Sequence, residues 1–109
     1  MARVLVIEDE ENLRLSIVRT LSKARYSVDE ASCLRDARDL LRNHDFDLVL
    51  TDVMLGSENG VDLVRELRGE GYEGVVVVIT AFGTVESAVA AMRDGADHYL
   101  QKPISMQDL

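Results

Sequence analysis

The sequence predicts an α/β fold, a parallel sheet of five strands with helices packed on both faces. Three observations carry that expectation. Five short runs rich in β-formers, at residues 3–7, 26–31, 47–51, 75–80 and 97–101, are separated by stretches whose apolar residues recur at helical spacing. Strands and helices of these lengths in alternation build right-handed βαβ units, which leave their strands parallel. The run VVVVIT (75–80) is apolar without alternation, as suits an interior strand covered on both sides.

Taken in order, RVLVI (3–7) is the first strand, and Leu13, Ile17 and Leu21 give the first helix a single apolar stripe. YSVDEA (26–31) follows, then a helix opening near the small Cys33 with Leu34, Ala37 and Leu41 on one side. DLVLT (47–51) leads to a third helix marked by Val61, Val64 and Leu67. After VVVVIT, Thr84 suits a helix cap, with Glu86 in the first turn, Arg93 in the last and Gly95 at the C′ position. Val85, Ala88, Val89 and Met92 make that helix's stripe, and Met92 and Met54 are expected at core or backbone positions. DHYLQ (97–101) is the fifth strand. In the closing ISMQDL, Ser105 could cap one more helix that is barely begun, so the chain is expected to be a fragment whose last helix is cut short. Such a helix would leave one sheet face partly bare.

At 109 residues the chain is one domain's worth, expected to run 1–109. A net charge of −8 argues against a direct grip on nucleic-acid phosphates, which rests on Lys and Arg. The lone Cys33 permits no internal disulfide and points to a reducing compartment. The apolar start is too short for a signal peptide, and no stretch approaches a membrane span, so a cytoplasmic location without membrane contact is expected.

Ligands of open α/β sheets bind beyond the carboxyl ends of the strands. The groups there are Glu8 and Asp9 after the first strand, Asp52 after the third, Thr80 after the fourth and Lys102 after the fifth. The acids of EDEE (8–11) repel one another unless a cation or proton relieves them, although Glu10 and Glu11 are expected to be solvated first-turn acids. Glu8, Asp9 and Asp52 form a hard-oxygen set suited to Mg²⁺. Lys102 suits an ion pair with Asp52 or a phosphoryl oxygen, and Thr80 offers a hydroxyl. Together they resemble a phosphoryl-transfer site with a carboxylate nucleophile, and Asp52, following the apolar run DLVLT, is the natural nucleophile.

The sequence is similar over its full length to response-regulator receiver domains of two-component signalling. The likeness rests on Glu8-Asp9, the segment Asp52 to Met54 with Gly60 eight residues on, Thr80-Ala81, and Tyr99-Leu100-Gln101-Lys102-Pro103. ITAFGTVESAVAAMRDGADHYLQKP is especially similar to receivers of sigma-54-dependent, NtrC-like transcription activators. The resemblance implies a flavodoxin-like doubly wound sheet of order 2-1-3-4-5. It implies phosphorylation of Asp52 by a sensor histidine kinase, with Mg²⁺ (or Mn²⁺) held by Asp9, Asp52 and the Met54 backbone carbonyl and by Glu8 through water. Thr80 would move toward the phosphoryl group, Tyr99 would swing inward, and the Lys102-Pro103 bond would be cis. The fourth helix, fifth strand and final helix would face a homodimer partner or an effector domain, DNA-binding or ATPase, outside this chain.

Two departures stand out. Leu55, followed by Gly56, occupies the position where the family usually has proline, so a looser loop is expected beyond Asp52. Glu8 replaces the commoner aspartate. An aspartyl-phosphate phosphatase would need an acid two residues after the nucleophile, where Met54 stands. An FMN-binding flavodoxin would need a phosphate cradle where EDEEN stands. A pseudo-receiver that only docks remains an alternative reading. Because Met54 and Phe82 carry no group to orient a water, slow self-dephosphorylation is expected.

Overall fold

Strands and helices alternate through the computed structural model, which describes residues 2–81 and 85–103. The elements are β1 (Arg3–Ile7), α1 (Glu11–Lys23), β2 (Ser27–Ala31), α2 (Leu34–Asn43), β3 (Leu48–Asp52), β4 (Met54–Leu55), β5 (Glu58–Asn59), α3 (Gly60–Gly69), β6 (Val75–Thr80), α4 (Val85–Arg93) and β7 (His98–Gln101). Five strands form one sheet in the order β2-β1-β3-β6-β7, every neighbouring pair parallel. Counting only these five, that is the order 2-1-3-4-5. The order reverses between β1 and β3, which is where such sheets bind ligands.

Successive side chains of a strand point to opposite faces, so each interior strand serves two cores. Leu5 and Ile7 of β1, Val49 of β3, and Val76 and Val78 of β6 join Leu34, Ala37, Leu63, Val64, Leu67 and Ala91 from α2, α3 and α4. Val4, Val6, Leu50 and Ile79 face the other way, onto Ile17 and Leu21 of α1. The apolar run of β6 is thereby explained, since Val77 packs on the second face between two residues of the first. Beside α1 on that second face lies an apolar hollow of about 580 Å³, lined by Val4, Leu21, Leu50, Val77, Tyr26 and Tyr99 among others.

Two expectations are corrected. Met92, read as a core or backbone position, is 38% exposed, and Val89 is exposed as well, whereas Met54, 50% exposed, acts through its backbone. Among the described side chains of α4, the buried one is Ala91, one position off the stripe, whose small size lets the helix lie close. Apolar spacing identifies the helix but does not say which part of its apolar surface the sheet covers. The segment beyond Asp52 is also not a loose loop. It forms a two-stranded antiparallel hairpin with Met54 opposite Asn59 and Leu55 opposite Glu58. Leu55 is 3% exposed and sits in the larger core, so its side chain anchors the hairpin. Gly56 turns the corner at φ +61°.

Candidate functional site

The register of β1 on β3, with Ile7 opposite Thr51, brings both strands to an end at the same edge. Glu8 and Asp9 therefore emerge beside Asp52, the last residue of β3. One carboxylate oxygen from each of the three lies within 4.8 Å of the others. Asp9 is exposed, whereas Glu8 and Asp52 are buried, so the cluster is a shallow cup with an acidic floor. Gly60 packs directly on the backbone of Asp52, where a Cβ would collide with its carbonyl.

Each acid is oriented. Asp52 Oδ1 accepts the Met54 N–H at 3.0 Å, and its Oδ2 accepts from Lys102 Nζ at 2.6 Å. Asp9 Oδ2 accepts the Gly56 N–H at 3.0 Å, and Glu8 Oε2 accepts the Glu10 N–H at 3.3 Å. Lys102 reaches the cup because β7 lies parallel to β6, with Gln101 opposite Thr80, and the Lys102 N–H bonds the Thr80 carbonyl at 2.7 Å. Its Nζ also lies 3.0 Å from Glu8 Oε1, an ion pair without an aligned hydrogen bond, so that buried oxygen has no hydrogen-bond partner among the described residues.

The electrostatics follow from this crowding. Burial above all, then the closeness of the Asp9 and Asp52 carboxylates, pushes Glu8 up to about 7, against the opposing pull of Lys102. Burial pulls Lys102 down, but its hydrogen bond to Asp52 and the negative charges of Asp52 and Glu8 beside it outweigh that and hold it above the ordinary lysine value. An acid cluster with one ammonium has an unmet need for positive charge. The three clustered carboxylates, with Glu8 Oε1 accepting no hydrogen bond among the described residues, fit a divalent cation of the hard, oxygen-seeking kind.

Of the residues singled out in the sequence, Glu8, Asp9, Asp52 and Lys102 are brought together. Thr80, fully buried, ends the neighbouring strand, one register step beyond the Asp52–Ile79 pair. Tyr99 stands apart: it lies opposite Val78, within β7, and is 47% exposed. The Lys102-Pro103 peptide is cis. The expectations placed on Phe82, Thr84 and Ser105 lie outside the described residues. Sequence reasoning missed the backbone donors of Met54 and Gly56, which no residue type announces. It also missed Arg14, whose guanidinium bonds the Glu8 carbonyl and Glu30, both at 2.9 Å. Its position one turn past Glu10 on the first helix was the available signal.

Comparison with known proteins matches residues 4–109 to the model of the response regulator receiver domain. The response regulator MprA of Mycolicibacterium vanbaalenii is 38% identical over 107 residues, 98% of this chain and 46% of that protein. The response regulator protein PilR of Pseudomonas aeruginosa is 33% identical over 104 residues, 95% of this chain and 23% of that protein. This chain thus spans about half or less of the curated relatives it matches. Among solved structures, NtrX from Brucella abortus superposes with a TM-score of 0.92 at 28% identity, over 98% of this chain and 24% of that one. A response regulator protein from Burkholderia pseudomallei, with a phosphorylated aspartic acid, calcium ion and citrate, superposes with a TM-score of 0.90 at 30% identity, over 99% and 64%.

Proposed function

The chain belongs to the response-regulator receiver family, and on that premise we propose that it is a switch thrown by phosphorylation of Asp52. Receivers are not enzymes in the usual sense, since they catalyse only their own phosphorylation and dephosphorylation. The observation that carries the assignment is the environment of Asp52. It is a buried strand-end carboxylate held by an ammonium on one oxygen and a backbone N–H on the other, beside two further acids.

The donor is a sensor histidine kinase. An Asp52 oxygen forms the new P–O bond as the P–N bond of phosphohistidine breaks, and the departing imidazole takes up a proton. Asp9, Asp52 and the Met54 carbonyl would hold Mg²⁺ or Mn²⁺, with Glu8 acting from beside them, and the cation would supply positive charge for the transferring phosphoryl oxygens. Lys102 leaves its ion pair with Asp52 for a phosphoryl oxygen, and the Thr80 hydroxyl supplies a second donor. Tyr99, exposed here, turns inward when Thr80 moves. The Burkholderia relative, with its phosphorylated aspartate and calcium ion, supports this reading.

The output is relayed through α4 and β7, where Val89, Met92 and Tyr99 leave apolar surface exposed. The partner there is a second receiver or an effector domain, DNA-binding or ATPase, in transcription control. Similarity to PilR and NtrX supports a sigma-54 setting. With a net charge of −8, the receiver leaves nucleic-acid contact to its effector, and its place of action is the cytoplasm.

The test is incubation with acetyl phosphate and Mg²⁺, read by intact mass, alongside Asp52→Asn. One phosphate gained by the wild type and none by the variant is expected. No gain while Mg²⁺ is bound would transfer the assignment to a docking module that is never phosphorylated.

A further inference from the structure

The turn of the β4–β5 hairpin touches the acid cluster through Gly56 and the start of α2 through Glu58. On the cluster side, the Gly56 N–H holds Asp9 Oδ2 at 3.0 Å. On the helix side, Glu58 Oε1 accepts the Leu34 N–H at 3.2 Å. That N–H is one of the donors a helix start leaves without an intrahelical partner, and Cys33, at the cap position, offers no side-chain bond to any of them. The cap comes instead from 24 residues away in sequence.

The hairpin has little slack between these contacts. It consists of two residue pairs, one of which sets Glu58 directly opposite Leu55. Leu55 is locked in the core, and Gly56 follows it. Asn59, next after Glu58, caps α3 by accepting the Val61 N–H at 2.9 Å. A shift of Glu58 is therefore a shift of the Gly56 donor as well.

We propose that Glu58 is a positioning residue for the cation site: by capping α2 it fixes the hairpin, and the hairpin fixes the Gly56 N–H that orients Asp9. The inference rests on the reading of Glu8, Asp9 and Asp52 as that site. The coupling is reciprocal, so cation binding must also tighten the cap on α2. The start of α2 then reports whether the site is filled, although it makes no direct contact with the three acids.

Backbone amides of the wild-type chain are followed by NMR during MgCl₂ titration, together with Glu58→Ala, Glu58→Gln and Asp39→Gly. Glu58→Ala is expected to bind Mg²⁺ about fivefold more weakly, a loss of the size a missing cap produces. Glu58→Gln keeps a carbonyl acceptor without the charge and stays within about twofold of wild type. Asp39→Gly weakens α2 at an exposed site away from the hairpin and leaves the affinity unchanged. In the wild type, and not in Glu58→Ala, Mg²⁺ slows hydrogen exchange at the Leu34 amide.

Equal affinity for Glu58→Ala and wild type overturns the proposal. So does a loss in Glu58→Gln as large as in Glu58→Ala, which would make Glu58 a source of charge rather than a cap. An equal loss in Asp39→Gly would also overturn it, by tracing the effect to the strength of α2 in general. A wild-type chain that binds no Mg²⁺ is a different failure, since it removes the cation site on which the inference stands.

Discussion

Lys102 and a divalent cation compete for the same carboxylates. With its ammonium 2.6 Å from Asp52 and 3.0 Å from Glu8, Lys102 is the counterion of the cation-free cup. Replacing it by Met should have effects of opposite sign. The cation-free chain loses about 1–3 kcal/mol, because a buried carboxylate is left without its partner, at a site part-open to water. Mg²⁺ affinity at pH 8 rises about three- to tenfold, because the competing charge is gone. Urea midpoints in EDTA and a Mg²⁺ titration read the two effects, and a variant that binds Mg²⁺ more weakly would contradict this picture. Met54 governs a separate outcome. Half exposed beside Asp52, it offers no group to orient an attacking water, so the aspartyl phosphate should outlast many minutes in Mg²⁺. Label lost within seconds would count against it. These roles were legible because charged residue types at strand ends announce themselves. The donors that orient the acids were not, since Met54 and Gly56 act through backbone N–H groups and any residue but proline carries one.

The element that the sequence conceals is the hairpin after β3. Two-residue strands carry too little pattern to be seen, and the absence of a proline at Leu55 suggests slack. Its order comes from long-range contacts: Leu55 in the core, Gly56 on Asp9, and Glu58 on the start of α2. Leu55→Ala should therefore cost about 2–4 kcal/mol, as loss of a fully buried leucine does, rather than the few tenths expected of a loop. A denaturation midpoint close to wild type would show that the hairpin is not anchored this way. A similar logic hides the junction of α3 with the end of α4. Arg68 donates to the carbonyls of Gly95, Tyr72 and Gly74 and pairs with Asp97, tying two turns to one helix. As a helical residue in the last turn of α3, Arg68 reads as an ordinary solvated cation. The helices themselves were legible by spacing, although on α4 the exposed Val89 and Met92 show that spacing does not say which apolar residues the sheet covers.

For the molecule as a whole, the parallel sheet follows from alternating elements joined by right-handed crossovers, so the fold class was legible without any contact being known, whereas the strand order came only from the family resemblance. What the alternation does not reveal is how the fold's stability depends on its site, and that dependence belongs to Glu8. In the folded chain Glu8 loses its proton near pH 7, against an ordinary 4.5. The folded state thus holds that proton more tightly than the unfolded one, so the Glu8 contribution to stability is complete below about 4.5 and is lost as pH rises through about 7. Its size is on the order of 3 kcal/mol. A bound cation reverses the sense, because it requires the ionised carboxylate. Apparent Mg²⁺ affinity should then weaken about tenfold between pH 8 and pH 6 as the proton competes. Urea midpoints of wild type and Glu8→Gln from pH 5 to pH 8 isolate this group from the other carboxylates, since the amide never ionises. In EDTA, the wild type should fall progressively behind the variant as pH rises, and saturating Mg²⁺ should close the gap. A difference between the two chains that stays flat with pH would mean that Glu8 titrates as an ordinary acid. The crowded end of the first strand would then need no cation to relieve it.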